Sequence, residues 1–191
     1  MSQKIKSITT ETSFYDDYTE SLDTETTTRH YDKEQRLIRM DTFSTDEEGL
    51  PCESFVQYTY DSEGRIATIE KKYELKTYSY SKDDEGNDVI EQRYKFNGET
   101  IRTYFFNPQG KLIKIIYEDP GSYKCQQSLE YLDDDNVRLK AETYDINGNI
   151  SETKEDMLSM FEVELLSEIF EQDSFDEDDI LPEKTEYWDE D

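Results

Sequence analysis

The amino-acid sequence predicts a mainly β protein that is built from antiparallel hairpins and ends in one amphipathic helix and an acidic tail. Aromatic residues that precede polar turns recur along residues 31–144 at intervals of about 10–20 residues, the spacing of one strand, one turn and the next strand. The chain is also rich in residues that fit a half-buried pleated surface, with 15 Tyr and 9 Phe in 191 residues. At this length, one core is expected.

Each predicted hairpin begins with an aromatic residue at the end of a strand. These anchors are Tyr31, Phe43, Tyr60, Tyr80, Phe96, Phe106, Tyr117, Tyr131 and Tyr144. An Asp or Asn often follows, and its side chain can bind the backbone two residues further on and start a turn. Gly64, Gly110 and Gly148 are then expected to adopt a positive φ, because glycine has no Cβ that would clash. Residues 111–117 are apolar on both faces, which predicts an interior strand that is covered on both sides.

The stretch YTYDSEGRIATI, residues 58–69, resembles the YD repeat of bacterial Rhs and teneurin-type proteins, and YDKEQRLI and YDINGNI resemble it less closely. In that family, Tyr-Asp, a two-residue spacer, Gly, Arg and an aliphatic residue recur along a spiralling antiparallel sheet. The resemblance covers about residues 29–150, and only the Tyr60 copy matches every position. Large members build a hollow shell from many copies. The copies present here are too few for a shell, so the resemblance implies an open, twisted antiparallel meander of YD-like hairpin repeats over residues 1–153.

The C-terminal region changes from a strand pattern to a helical pattern. The apolar residues at helical spacing are Leu158, Phe161, Leu165 and Ile169. Residues 154–171 are therefore predicted to form an amphipathic helix that packs on the sheet, with a partner-docking helix as the alternative. Residues 172–191 are predicted to be an acidic tail that contains aromatic side chains. The tail is either a solvated spacer or a ligand for a basic surface, and the sequence supports both readings equally.

The sequence predicts no catalytic residue, no cofactor site and no metal site. His30 is the only histidine, so a histidine-dependent triad or dyad has no support. The spacing of a calcium loop occurs at Asp145, Asn147, Asn149, Ser151 and Asp156. The position that needs Gly in such a loop is Ile150, and a hairpin turn explains the same residues without a metal. Cys52 and Cys125 are expected to be reduced, with a disulfide between them as the alternative.

The charge of the chain bears on its partners and its location. The formal net charge is −27, from 48 acidic and 21 basic residues. Such a surface repels nucleic-acid phosphates and anionic membranes and attracts basic proteins. The N-terminus lacks the apolar segment of a secretory signal, and no run of residues is apolar enough to span a membrane. We therefore expect a cytoplasmic protein that binds neither nucleic acid nor membranes directly.

These features favour a non-catalytic, acidic protein-binding module. The specific hypothesis is an immunity protein that neutralises a cognate bacterial toxin, of the basic nuclease type, by binding it. The resemblance implies the same setting, because Rhs-type proteins often carry toxin domains with immunity genes nearby. The alternative is a structural YD-repeat fragment that assembles with other β-sheets, and an enzyme is favoured least. The predicted partner-binding residues are Asp133, Asp134, Asp135, Asp176, Glu177, Asp178, Asp179, Tyr187 and Trp188.

Overall fold

The fold is mainly β, as the sequence predicts. The computed structural model describes residues 4–16, 21–45, 49–96, 99–133, 135–167, 169 and 184–188. The elements in chain order are β1 (Ile5–Asp16), β2 (Ser21–Tyr31), β3 (Leu37–Thr45), β4 (Pro51–Tyr60), β5 (Ile66–Lys71), β6 (Glu74–Lys82), β7 (Asp88–Lys95), β8 (Glu99–Phe106), β9 (Leu112–Asp119), β10 (Tyr123–Tyr131), β11 (Asn136–Tyr144), β12 (Ile150–Ser159), α1 (Met160–Ser167) and β13 (Lys184–Tyr187). The chain divides into two compact units, Met1–Leu75 with Ser174–Asp191, and Lys76–Asp173.

The first unit is an antiparallel meander in which strands that follow one another along the chain are also neighbours in space. Its strand order is β5-β4-β3-β2-β1-β13. β13 departs from this rule, because it pairs antiparallel with β1, with Thr185 opposite Ile8. Within the described residues of this unit, β13 has no second neighbouring strand. Part of the segment that was predicted to be a tail is therefore a strand at the edge of a sheet.

The second unit repeats the meander from β6 to β12 in chain order. The interior strand predicted at residues 111–117 is β9, which lies between β8 and β10. Cover on both faces stays a prediction, since Lys114, Ile116 and Glu118 are only partly buried. β9 carries Leu112 and Ile115, two of the most deeply buried side chains of the described residues. The prediction of an antiparallel meander is thus confirmed, whereas membership in the YD-repeat family stays a prediction.

The sheet of the second unit has a buried inner face and a charged outer face. On the inner face, Tyr104 of β8 lies opposite Ile115 of β9, which lies opposite Gln127 of β10. The buried residues of this face are Tyr78, Gln92, Tyr104, Ile115, Cys125, Leu129 and Val137. On the outer face, ion pairs such as Arg138–Glu130 join neighbouring strands. Because successive side chains of a strand point to opposite faces, one sheet presents both surfaces.

The hairpin turns that begin at Asp32, Asp61, Asp83, Asn107 and Asp145 share one hydrogen-bonding pattern. In the Asp61 turn, the Asp61 N–H donates to the Arg65 carbonyl at 2.8 Å, and the Gly64 N–H donates to the Asp61 carbonyl at 3.1 Å. The Asp61 carboxylate accepts the N–H groups of Glu63 and Arg65, each at 2.9 Å. Gly64 has a φ of 81°, a conformation that glycine adopts without strain. The turn-forming roles that were predicted for Asp and Gly are confirmed.

The turn at Asp32 has Gln35 where the other four have glycine. The φ of Gln35 is 66°, which is uncommon for a residue with a side chain. The Gln35 side chain bonds both backbone groups of Ile5, accepting the N–H at 2.8 Å and donating to the carbonyl at 2.9 Å. These two bonds tie the turn to β1 and offset the strain of the left-handed conformation.

The predicted helix at residues 154–171 begins later and is shorter. β12 continues to Ser159, because residues 150–159 pair along β11 and this backbone pairing outweighs the helical spacing of the apolar side chains. α1 begins with a capping box, in which the Glu162 carboxylate accepts the Ser159 N–H at 2.8 Å and the Ser159 hydroxyl accepts the Glu162 N–H at 3.4 Å. The sequence signal for this start, Ser-x-x-Glu, was present.

α1 is also less amphipathic than predicted. It packs against β11 and β12, and Val163 is its buried residue. Phe161 is 66% exposed and Leu165 is 50% exposed, so apolar side chains also face solvent. Beyond α1, Ile169 is buried, and its carbonyl accepts a hydrogen bond from the Gln92 amide of β7 at 3.3 Å. Ile169 therefore packs on the inner face. The predicted domain boundaries after residues 153 and 171 stay a prediction.

Candidate protein-binding site

The acidic turn of the predicted partner-binding site connects β10 to β11. The Asp133 carboxylate accepts the N–H groups of Asp135 and Asn136, each at 2.9 Å. The bond from the Asp135 backbone and the bonds from the Asn136 side chain lower the pKa of Asp133. This carboxylate therefore builds the turn. Asp134 lies outside the described residues, as do Asp176, Glu177, Asp178 and Asp179.

The aromatic residues of the predicted site lie at the end of β13 in the first unit, whereas Asp133 and Asp135 belong to the second. The backbone N–H of Trp188 donates to the Lys4 carbonyl at 2.9 Å. The ammonium groups of Lys6 and Lys33 each lie 5.9 Å from the centre of the Trp188 ring, within the range of cation–π interactions. Tyr187 is about half exposed. Lysines of the chain itself thus surround Trp188, the residue that was predicted to contact a basic partner.

The structure reveals a groove in the second unit that the sequence did not predict. This turn groove has a volume of about 600 Å³ and lies where the β9–β10 turn and the β11–β12 turn meet. Its lining residues are Glu118, Asp119, Gly121, Ser122, Tyr123, Lys124, Gln126, Tyr144, Asp145, Ile146 and Gly148. They come from two hairpins that are separated along the chain, and β10 and β11 bring them together by pairing. No local sequence pattern connects the two hairpins.

The turn groove combines negative charge with exposed aromatic and apolar side chains. Its carboxylates belong to Glu118, Asp119 and Asp145, and its one ammonium group, that of Lys124, lies 3.9 Å from Glu118. Tyr123 is 47% exposed and Ile146 is 82% exposed. Neighbouring carboxylates attract a basic surface, and exposed aromatic residues supply contact area that a partner can desolvate. The arrangement suits the binding of a basic protein.

Asp145 is held in its ionised form by the turn that it starts. Its carboxylate accepts the N–H groups of Asn147 at 2.9 Å and Asn149 at 2.8 Å. Hydrogen bonds from the backbone and side chain of Asn149 lower the pKa of Asp145. Asp145, Asn147 and Asn149, which match the spacing of a calcium loop, thus form a hairpin turn. In the described part of the chain, no group of three or more His, Cys, Asp or Glu side chains is placed to hold a metal ion.

The two tyrosines of the turn groove are neutral hydrogen-bonding groups. The Tyr144 hydroxyl donates to the Glu142 carboxylate at 3.1 Å, and this bond raises the pKa of Tyr144. A side-chain hydrogen bond with Cys125, together with burial, raises the pKa of Tyr123. Both cysteines are free, with Cys125 buried and Cys52 exposed. The tyrosine rings can therefore contact a partner without adding charge to the groove.

Removing the Asp145 carboxylate is expected to destabilise the protein at neutral pH but much less in acid. The pKa of Asp145 is lower in the folded state than its ordinary value of about 3.9. Its stabilising contribution is therefore present above the unfolded pKa and is lost as the pH falls through the folded pKa. Urea unfolding at about pH 7 and about pH 2.5 should show that wild type and Asp145→Ala differ at the higher pH and converge at the lower.

Asp145→Asn is the matched control for this experiment. Asn107 starts a turn of the same pattern, and its amide oxygen accepts the N–H groups of Gln109 at 3.1 Å and Lys111 at 2.9 Å. An asparagine at position 145 should therefore keep the turn, and the variant should be more stable than Asp145→Ala at neutral pH. Equal losses for the two variants, or a loss that does not depend on pH, would contradict the assigned role.

No protein-family model matches this chain, and no curated protein matches it. Within the described residues, no helix is both long and apolar enough to cross a membrane. The chain's own charge and geometry are therefore the basis for assigning a function.

Proposed function

We propose that this chain is an acidic protein-binding module, an immunity protein that binds and neutralises a basic bacterial toxin of the nuclease type. The observation that carries the proposal is the turn groove, where Glu118, Asp119 and Asp145 stand beside the exposed side chains of Tyr123 and Ile146. Nuclease domains bind phosphates through basic surfaces, and an acidic groove can occupy such a surface.

Charge and contact area make separate contributions to this binding. The net charge of −27 steers a basic partner toward the chain and raises the association rate at low salt. Aromatic side chains at the centre of an interface commonly provide most of the binding energy once water is excluded. Tyr123 lies among the groove carboxylates and is expected to be such a residue. Affinity should therefore fall with added salt but should not vanish.

The edge strand β12 favours the second candidate function, a structural fragment that assembles with other β-sheets. β12 pairs with β11 alone in the described part of the second unit, and Ile150 and Met157 are about half exposed. Unpaired edges with exposed apolar side chains can pair with other sheets. Glu152, Glu155 and Asp156 on the same strand oppose this function, because like charges on identical edges repel.

Partner capture followed by variants of the turn groove tests the proposal. The full chain would be used to isolate partners from its source cytosol at low salt, and the captured basic protein would be purified. We expect Asp119→Lys combined with Tyr123→Ala to weaken the measured binding at least about tenfold. Asp84→Lys makes the same charge change in an exposed turn of the same unit and should alter affinity less than about threefold. Recovery of this chain alone would support the structural function.

A second variant distinguishes partner binding at the turn groove from partner binding by the acidic tail. Replacing Asp176, Glu177, Asp178 and Asp179 with Asn, Gln, Asn and Asn removes four charges from the segment that was predicted to bind the partner. If the turn groove is the site, this variant should lose long-range steering and bind more slowly, with a nearly unchanged dissociation rate. A large increase in the dissociation rate would place the site on the tail.

A further inference from the structure

The inner face of the second unit contains a cavity next to the turn groove, and the two share Glu118, Asp119 and Tyr123. The cavity has a volume of about 360 Å³, and Arg102, Tyr117, Asp119, Tyr123, Cys125 and Gln127 are among its lining residues. Arg102 of β8 lies opposite Tyr117 of β9, which lies opposite Cys125 of β10. The volume is in the usual range for small-molecule sites, about 300–1,000 Å³.

The cavity presents a cation and a carboxylate that do not neutralise each other. The Arg102 guanidinium lies 5.5 Å from the centre of the Tyr117 ring. Although the chain has 48 acidic residues, Arg102 forms no ion pair with any residue in the described ranges. Asp119 lines the same cavity, and its carboxylate accepts the Thr100 hydroxyl at 3.1 Å. Both charges are thus available to a ligand.

The wall of the cavity is partly apolar. Buried Cys125 and the rings of Tyr117 and Tyr123 line it. The cavity therefore offers complementary groups for an anion, a cation and an apolar group.

We propose that this cavity binds a free α-amino acid. The ligand's carboxylate pairs with Arg102, its ammonium group pairs with Asp119, and its side chain packs on the tyrosine rings. A ligand with only a carboxylate leaves Asp119 unpaired, and a ligand with only an ammonium group leaves Arg102 unpaired. An α-amino acid carries both charges on one small framework. This inference does not depend on the protein being an immunity protein.

Nuclear magnetic resonance titration of the full, isotope-labelled chain tests the proposal with three related ligands. L-Phenylalanine has both charges, 3-phenylpropionate lacks the ammonium group, and phenethylamine lacks the carboxylate. We expect L-phenylalanine to shift the side-chain resonances of Arg102 and Gln127 with saturation below about 10 mM, and each analogue to bind at least about tenfold more weakly. Equal shifts with all three ligands would overturn the proposal, as would the absence of saturable shifts with L-phenylalanine.

Variants assign each charge to its partner. Arg102→Gln should weaken L-phenylalanine binding to the level of phenethylamine in the wild type, without weakening phenethylamine itself. Asp119→Asn should weaken L-phenylalanine binding to the level of 3-phenylpropionate in the wild type, without weakening 3-phenylpropionate itself. The control is Arg138→Gln, which alters an arginine on the outer face and should leave all three affinities unchanged. If Arg102→Gln and Arg138→Gln bind L-phenylalanine equally well, the assignment to this cavity is wrong.

Discussion

Replacing Ile115 with alanine is expected to lower the free energy of unfolding by about 2–5 kcal/mol. Ile115 is 0% exposed and lies in β9, with Tyr104 on one side and Gln127 on the other. Truncation removes buried apolar surface and leaves a cavity, because paired strands on both sides prevent β9 from collapsing into the space. The expected loss is a large fraction of the total stability of a typical domain.

Urea unfolding of the purified variants measures this loss. Ile146→Ala is the matched control, because Ile146 belongs to the same unit but is 82% exposed in a turn. The control should change the free energy of unfolding by less than about 0.5 kcal/mol. A loss below about 1 kcal/mol for Ile115→Ala would mean that the inner face is not tightly packed.

Replacing Gln92 with leucine is expected to destabilise the protein by about 2–4 kcal/mol. Gln92 is buried in β7, and its amide nitrogen donates to the Tyr78 hydroxyl at 3.0 Å and to the Ile169 carbonyl at 3.3 Å. Leucine has a similar volume but no donor, so the Tyr78 hydroxyl and the Ile169 carbonyl each lose the bond from Gln92. The bond to the carbonyl also holds Ile169 against the sheet.

Two measurements distinguish this effect from general core damage. Hydrogen exchange in α1 and at Ile169 should accelerate more than exchange in β9, because the lost bond anchors Ile169 directly after α1. Gln126→Leu makes the same substitution on the outer face of β10 and should change stability by less than about 0.5 kcal/mol. Uniform acceleration of exchange throughout the second unit would contradict the anchoring role of Gln92.

The turns could be predicted from the sequence because their determinants lie within five consecutive residues. Asp61 and Gly64, for example, each act on backbone groups of their own turn. The end of β12 could not be predicted in this way. Residues 154–159 belong to the segment that was predicted to be helical, but pairing with β11 decides their conformation. A start of α1 at the Ser159–Glu162 capping box could have been read from the sequence.

The candidate sites depend on contacts between distant residues, and this is why the sequence did not reveal them. Tyr123 and Asp145 lie on different hairpins, and each has an ordinary local role, at a strand start and in a turn. Arg102 is likewise unremarkable in the sequence among 21 basic residues. It becomes notable only because the fold places it in a cavity where it forms no ion pair with any described residue. Strand register, which the sequence leaves undetermined, creates both sites.

The pairing of β13 with β1 has a consequence for refolding kinetics. Neighbouring strands of the meander close short loops, whereas the contact of Thr185 with Ile8 closes a loop of nearly the whole chain. Loop-closure entropy grows with length, and folding slows as contacts become less local, so β13 is expected to dock last. Trp188, the only tryptophan, adjoins this strand. Its fluorescence should therefore report the final docking step, and circular dichroism should follow the earlier formation of the hairpins.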